Sequence, residues 1–211
     1  MTERKTSSLD RQQNQLRNPT VNSLKARPNL FAPGERTVTE RRGEVTIRTT
    51  RKSLLKLMTF LRDDTNMRYK TLVDVASVDY PTREPRFEVV YMRLSVHYNT
   101  RCRVKVRTDE RTRVPSLTGL YQSADWMERE VWDMFGIGFE GHPDRRRILT
   151  DYGFEGYPLR KDFPLSGYTE VRYDEAEKRV VCEPLERMQE YRAFDFRSAW
   201  KYRPDSQVVK G

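Results

Sequence analysis

Between Thr71 and Arg107 the chain carries three β-type runs in close succession, so whatever it folds into must first supply a sheet. Thr71–Asp79 is Val-rich, and Arg86–Val96 resumes with Phe87, Val89, Val90, Tyr91 and Leu94. The connection from Pro81 to Pro85 cannot continue a ladder, because proline has no N–H to donate. A hairpin is the simplest account. Arg101–Arg107 then alternates, with Cys102, Val104 and Val106 on one side and arginines and a lysine on the other. That period of two marks a strand with one buried and one wet face.

Helices bracket these strands. Gly43 precedes a short strand over Glu44–Thr49, after which Leu54, Leu57, Met58 and Leu61 fall at i, i+3, i+4 and i+7, a single buried helical face. Thr50 or Ser53 is expected to cap this helix by accepting an orphan backbone N–H, and Asp63-Asp64-Thr65-Asn66 closes it. Pro115-Ser116 predicts a short helix through Tyr121, and Ser123 or Asp125 opens another through Phe135. The order strand, helix, three strands, helices predicts an α+β fold, a mixed β-sheet with helices packed on one face. Gly136, Gly138 and Gly141 follow a helix instead of linking strand to helix, which excludes a Rossmann reading.

The net charge of +9 over 211 residues invites a nucleic-acid reading until its location is considered. Residues 1–43 hold nine Lys/Arg against four Asp/Glu, more than half of the excess. The rest interleaves both signs and has no long basic block to track phosphates. Residues 1–43 therefore read as an extended basic arm, residues 44–165 as the α+β domain, and residues 166–211 as an extended C-terminal tail. The arm has the arginines and hydroxyls of a mitochondrial transit segment, but Glu3, Asp10, Glu35 and Glu40 argue for a retained one. No apolar run approaches the roughly 18 residues that span a bilayer, so any membrane association is expected to be indirect.

Two cysteines, Cys102 and Cys182, and two histidines, His97 and His142, are the whole stock of soft metal ligands. A structural zinc or a cubane iron-sulfur cluster usually takes four such ligands, so none is expected here. Cys102 reads as a buried free thiol.

Residues 128–149 read EREVWDMFGIGFEGHPDRRRIL, and residues 150–168 continue TDYGFEGYPLRKDFPLSGY. In a helix Glu130 and Asp133 share a polar stripe and would meet the run Arg145-Arg146-Arg147 across the glycine-rich turn. The economical picture is a carboxylate-guanidinium network pinning loop to helix, with His142-Pro143 part of the turn. The competing picture is a hydrolase in which Glu128, Glu130 and Asp133 act as acid, base or hard-metal ligands and His142 shuttles protons. Against it, the nearby arginines neutralise the carboxylates and no nucleophile-base pair is evident.

This stretch closely resembles the signature of the 30-kDa-type subunit of proton-translocating NADH:quinone oxidoreductase, the C-type component of the bacterial enzyme. The resemblance continues upstream through VDVASVDYPTREPRFEVVYMRLSVHYNTRCRVKV and downstream through SGYTEVRYDEAEKRVVCEPLERMQEYRAFDF, covering roughly residues 45–200. Tyr157 stands where the family usually has His, Arg145 where Leu is common, and Met127 where an aromatic is frequent. The resemblance implies a non-catalytic scaffold in the peripheral arm of respiratory complex I, on the matrix side of the mitochondrial inner membrane. It implies no cofactor on this chain, with FMN and iron-sulfur clusters in neighbouring subunits. The implied partners are the large hydrogenase-like, 49-kDa-type quinone-site subunit, the small cluster-bearing, PSST-type subunit and other peripheral-arm subunits. The implied structural network is Glu128, Arg129, Glu130, Asp133, His142, Arg146, Arg147, Asp151, Arg160, Lys161 and Asp162.

The tail supports docking on its own residues. Val171-Arg172-Tyr173 and Arg179-Val180-Val181 flank Asp174-Glu175-Ala176-Glu177 and predict a small hairpin. Tyr168, Tyr173, Tyr191, Phe194, Phe196 and Trp200 recur among charges without helical period, as interface anchors do. A basic mitochondrial RNA-binding or ribosomal protein is the remaining alternative, and it predicts salt-sensitive RNA binding.

Overall fold

The strand-rich middle of the chain forms one mixed sheet. The computed structural model describes residues 36–41, 43–186 and 189. These fall into two units that divide between Leu165 and Ser166. The first unit runs β1 (Arg36–Arg41), β2 (Glu44–Thr49), α1 (Arg51–Asp63), β3 (Thr71–Asp79), β4 (Phe87–Ser95), β5 (Thr100–Thr108), β6 (Val114–Pro115), α2 (Ala124–Phe135) and β7 (Phe139–Glu140). The main sheet has the order β1-β2-β5-β4-β3. β2 and β5 are parallel, from Val45 opposite Cys102 to Thr49 opposite Val106, and the other pairs are antiparallel. The expected β3–β4 hairpin and the α+β class are both present.

Alternation decides what the sheet buries. Val45 and Ile47 of β2, Phe87, Val89 and Tyr91 of β4, and Cys102, Val104 and Val106 of β5 turn to one face, where α1 and α2 cover them. From α1 come Leu54, Leu57, Met58 and Leu61, all fully buried, as the helical stripe predicted. Burying one such side chain is worth about 1.5–3 kcal/mol. The four together thus rival the roughly 5–15 kcal/mol net stability of a whole domain. On the reverse face β5 presents Arg101, Arg103, Lys105 and Arg107, none of them buried.

One core position breaks the pattern. Arg93 in β4 is 1% exposed, and no carboxylate among the described residues pairs with it. It donates to the Tyr69 carbonyl at 2.7 Å and to the Tyr121 hydroxyl, which itself donates to that carbonyl at 2.9 Å. Burial drops its pKa to about 10. The same burial pushes the neighbouring Cys102 thiol up to about 12.

Four local expectations are corrected. The helix expected from Pro115-Ser116 to Tyr121 does not form. Val114–Pro115 instead pairs in parallel with Phe139–Glu140, and Leu117 closes a single turn by accepting from Leu120 and Tyr121. Glu128 captures the Leu117 N–H, which holds this segment in a loop. Thr50 stands at the start of α1 but caps nothing, because its hydroxyl donates to Ser53 Oγ at 3.2 Å. Ser123 precedes α2 in a helical conformation with no side-chain cap. Finally, residues 36–41, assigned to the extended arm, form the edge strand β1 through antiparallel pairing with β2.

The second unit contains β8 (Thr169–Asp174) and β9 (Arg179–Pro184), the hairpin expected from the sequence. Asp174 Oδ1 accepts the Ala176 N–H at 2.8 Å in its turn.

Candidate functional site

α2 presents three charged residues inward. Apolar Ala124, Val131 and Phe135 seat the helix on the core, and the same rotation buries Glu128, Arg129 and Asp133. Glu130 lies on the opposite face, exposed to solvent. The expected polar stripe shared by Glu130 and Asp133 is therefore divided, because the side of α2 carrying Asp133 faces the protein.

Asp133 is fully buried and fully occupied. Its Oδ2 accepts the backbone N–H groups of Ile148, Leu149 and Thr150 at 3.1, 2.8 and 3.0 Å. Its Oδ1 accepts the Thr150 hydroxyl at 2.7 Å and Arg147 Nη1 at 3.2 Å. Desolvation raises the pKa of this carboxyl, yet the Thr150 hydroxyl and the three backbone donors prevail, and the net value lies below the ordinary range. Arg147 also donates to the Gly156 carbonyl at 3.0 Å and lies over the Tyr157 ring at 5.2 Å. Of the three consecutive arginines only Arg147 reaches α2 with its side chain. Arg146 pairs with Asp144 at 2.8 Å, and Arg145 is exposed.

Gly136 ends α2 with φ +74°, and its N–H bonds to the Trp132 carbonyl at 2.9 Å. A Cβ there would lie 2.6 Å from the Tyr157 ring and 2.7 Å from Arg160 Nη2. Glycine is needed both for the left-handed turn and for this close approach. Arg160 donates to the Phe135 carbonyl at 2.7 Å and to Glu110 at 3.1 Å, stacking on Tyr157 at 4.5 Å.

Glu128 forms the other pole. Its oxygens accept the Ser116 hydroxyl at 2.6 Å and the Leu117 N–H at 2.7 Å, while His142 Nε2 stands 3.9 Å away. Burial raises its pKa beyond what those hydrogen bonds recover. The His142 tautomer is fixed, since Nδ1 accepts the Asp144 N–H at 3.1 Å and Nε2 is left to donate to the Asp125 carbonyl at 3.1 Å. Arg129 donates to the Arg146 carbonyl at 3.1 Å. Glu128, Arg129, Trp132 and His142 line a small pocket of about 110 Å³.

A second brace was not foreseen in the sequence. Asp79, at the end of β3, accepts Arg86 bidentately at 2.7 and 2.8 Å and the Lys161 N–H at 2.9 Å. The Arg86 bond, first among several, holds the Asp79 carboxyl below its usual range. Arg86 reaches on to Glu110 and to Asp162. Lys161 thus enters through its backbone and Asp162 through its side chain. The Asp151 carboxylate accepts the Tyr152 N–H at 2.8 Å, and its carbonyl accepts the Phe154 N–H at 3.2 Å. The available signal was the spacing of Asp79 and Arg86 across Pro81–Pro85. Ser116 and Thr150 gave no signal of their own, and Tyr157 stood out only as a departure from the family's His.

The geometry suits holding a loop. Every lone pair of Asp133 facing the loop is engaged, and Glu130 is remote, so the four residues of the hydrolase reading do not converge. Among the described residues no group of three or more His, Cys, Asp or Glu is placed to hold a metal ion.

The fold is that of a respiratory-complex subunit. A chain in the structure of the membrane-bound sulfane sulfur reductase, an archaeal respiratory membrane complex, superposes with a TM-score of 0.60 at 25% identity, covering 72% of this chain and 86% of that one. The family described as respiratory-chain NADH dehydrogenase, 30 Kd subunit, matches residues 47–169, and this chain belongs to it. A C-type component of NADH-quinone oxidoreductase from Rhizobium etli (strain CIAT 652) is 58% identical over 176 residues, 83% of this chain and 86% of the relative. NADH dehydrogenase (ubiquinone) iron-sulfur protein 3 of Arabidopsis thaliana is 61% identical over 152 residues, 72% of this chain and 80% of the relative.

Proposed function

We propose that this chain is a non-catalytic scaffold subunit of the peripheral arm of proton-pumping NADH:quinone oxidoreductase, bracing the large quinone-site subunit during electron transfer from NADH to quinone. Family membership and the names of its relatives support the complex. The exposed face of the β8–β9 hairpin supports the docking role. Thr169, Val171 and Tyr173 pair across the strands with Pro184, Cys182 and Val180, so all six lie on one side. Val171, Tyr173 and Val180 are each more than half exposed, and Tyr168 beside them is 66% exposed. Arg172, Asp174, Arg179 and Glu183 take the other side. A two-stranded hairpin is marginal alone, and an amphipathic one calls for a cover. Tyr191, Phe194, Phe196 and Trp200, the other expected anchors, lie outside the described residues.

In this reading the chain binds neither FMN nor an iron-sulfur cluster, and the clusters belong to neighbouring subunits. The large hydrogenase-like subunit is the main partner, with the small cluster-bearing subunit next to it. The chain meets the membrane only through the complex, on the matrix face in mitochondria or the cytoplasmic face in bacteria. Among the described residues no helix is long and apolar enough to cross a bilayer. By holding residues 147–162 against α2, the braces would keep the surface offered to the large subunit in one shape, and cluster spacing depends on such rigidity.

The test replaces the apolar face with Val171→Ser, Tyr173→Ser and Val180→Ser in the full chain and measures assembled complex on a native gel. Assembly should fall at least fivefold while the purified variant keeps its circular dichroism. Wild-type assembly would sink the docking role.

A further inference from the structure

The small pocket beside α2 holds more positive charge than its own carboxylates neutralise. Besides Glu128, Arg129, Trp132 and His142 it is lined by Arg113, Gly138, Phe139, Asp144 and Arg145. Asp144 is taken up by Arg146, whose backbone N–H it accepts at 3.0 Å and whose Nη2 lies 2.8 Å from its Oδ2. Glu128 is taken up by the Ser116 hydroxyl and the Leu117 N–H, and among the described residues no guanidinium lies within ion-pair distance of it. Arg113 and Arg145 are exposed, and neither makes an ion pair among the described residues.

Arg129 gives this excess a geometry. Its side chain is only 9% exposed, yet its one hydrogen bond among the described residues runs from Nε to the Arg146 carbonyl, at 3.1 Å. Asp144 Oδ2 stands 3.9 Å from Nη1, beyond hydrogen-bond reach. The terminal nitrogens of a nine-tenths buried guanidinium are thus left without an acceptor from the described chain, a costly arrangement that an incoming anion relieves. Their planar fork matches a carboxylate bidentately. Trp132 and Phe139 supply apolar walls for the methylenes behind such a group, and about 110 Å³ gives room for one short side chain. A phosphate would bring a second negative charge against Glu128 and Asp144.

Trp126 decides between a free acid and a polypeptide. It is 63% exposed, and the Arg129 guanidinium lies over its ring at 5.1 Å. An exposed tryptophan stacked on an arginine is the kind of pair that anchors protein interfaces, whereas a small free acid would leave the ring uncovered.

We propose that this pocket receives an aspartate or glutamate side chain of a neighbouring polypeptide, gripped by Arg129 and, at the rim, by Arg113 and Arg145, while the same neighbour covers Trp126. This rests on the reading of the chain as a subunit and gives it a contact surface made of residues other than the β8–β9 hairpin.

The test uses the assembled complex carrying Arg145→Lys or Arg113→Lys, treated with a zero-length carbodiimide, which joins an amine to a carboxylate in contact with it. Mass spectrometry of the digested complex should find an amide between the introduced amine and an Asp or Glu of another polypeptide, absent from the wild type because arginine does not couple. Arg113→Gln with Arg145→Gln, both at exposed positions, should lower the complex surviving a salt wash by roughly threefold and leave the melting temperature of the purified chain unchanged. An intact complex with no such amide, or with amides only to this chain itself, residues 166–211 included, would overturn the proposal, as would wild-type survival of the double-glutamine variant. A wild-type chain found in no assembly at all would instead overturn the subunit reading, and this inference with it.

Discussion

The brace around α2 and the β8–β9 hairpin deal with the same difficulty, a stretch of chain with little core of its own, in opposite ways. The brace buries the Glu128 and Asp133 carboxylates of α2 and satisfies them internally, with Asp133 alone receiving five donors. The hairpin keeps its charges outside and leaves its apolar side open, with Val171, Tyr173 and Val180 more than half exposed. A buried polar network fixes one geometry because each unmade bond is costly. An uncovered apolar face fixes nothing until a partner arrives. The first region is finished by the chain itself, and in the proposed docking role the second is completed by a partner.

The sharpest way to break this contrast is Asp133→Ala. Removing one partner of a buried ion pair costs about 3–5 kcal/mol, and here three backbone N–H groups lose their acceptor as well. The urea midpoint of the full chain should fall accordingly. Val171→Ser with Tyr173→Ser and Val180→Ser should leave that midpoint in place, since all three side chains are more than half exposed. Equal losses from the two variants would remove the distinction.

Gly136→Ala comes next. The residue sits at φ +74° against Tyr157 and Arg160, so alanine meets backbone strain and a clash together. A cost of about 1–3 kcal/mol is expected. Read by calorimetric melting, it should shrink when Tyr157→Ala is added. A loss that the double variant does not relieve would show that strain alone governs the turn.

The smallest effect is a pH dependence of opposite sign at the two poles of α2. Asp133 is held below its ordinary value near 3.8, so its contribution is present above that value and is lost as pH falls through the folded one. Glu128 is raised above its ordinary value near 4.5, so its contribution is present below that value and fades as pH rises through the folded one. Urea midpoints between pH 3 and pH 8 should show the penalty of Asp133→Asn shrinking in acid. Glu128→Gln should gain relative to wild type as pH rises. Parallel curves for both variants would mean that neither carboxyl titrates differently in the folded state.

The sequence disclosed those features whose cause is local. The α1 stripe, the alternation of β5 and the hairpin turn at Asp174–Glu177 each follow from a period or from turn chemistry within a few residues. The signature at 128–149 exposed the family and put Glu128, Asp133, Arg147 and His142 in view. It could not separate Asp133 from Glu130, because which side of a polar stripe turns inward depends on the surface against which the helix is packed. For the same reason Arg145 and Arg146 looked equivalent to Arg147 until the loop returned to α2.

Local chemistry by itself thus determined the class of fold, the order of its elements and the family. Contacts across long separations decided the rest. Arg93 entered the core because Tyr69 and Tyr121 meet there, 24 and 28 residues away in the chain. Residues 115–121 gave up a helix because Glu128 takes the Leu117 N–H from 11 residues ahead. Asp79, Arg86 and Lys161 became a brace only when residues 82 apart came together. A periodicity records which way a side chain faces, whereas a buried hydrogen bond also requires that its partner arrive, and only the closed tertiary structure brings it there.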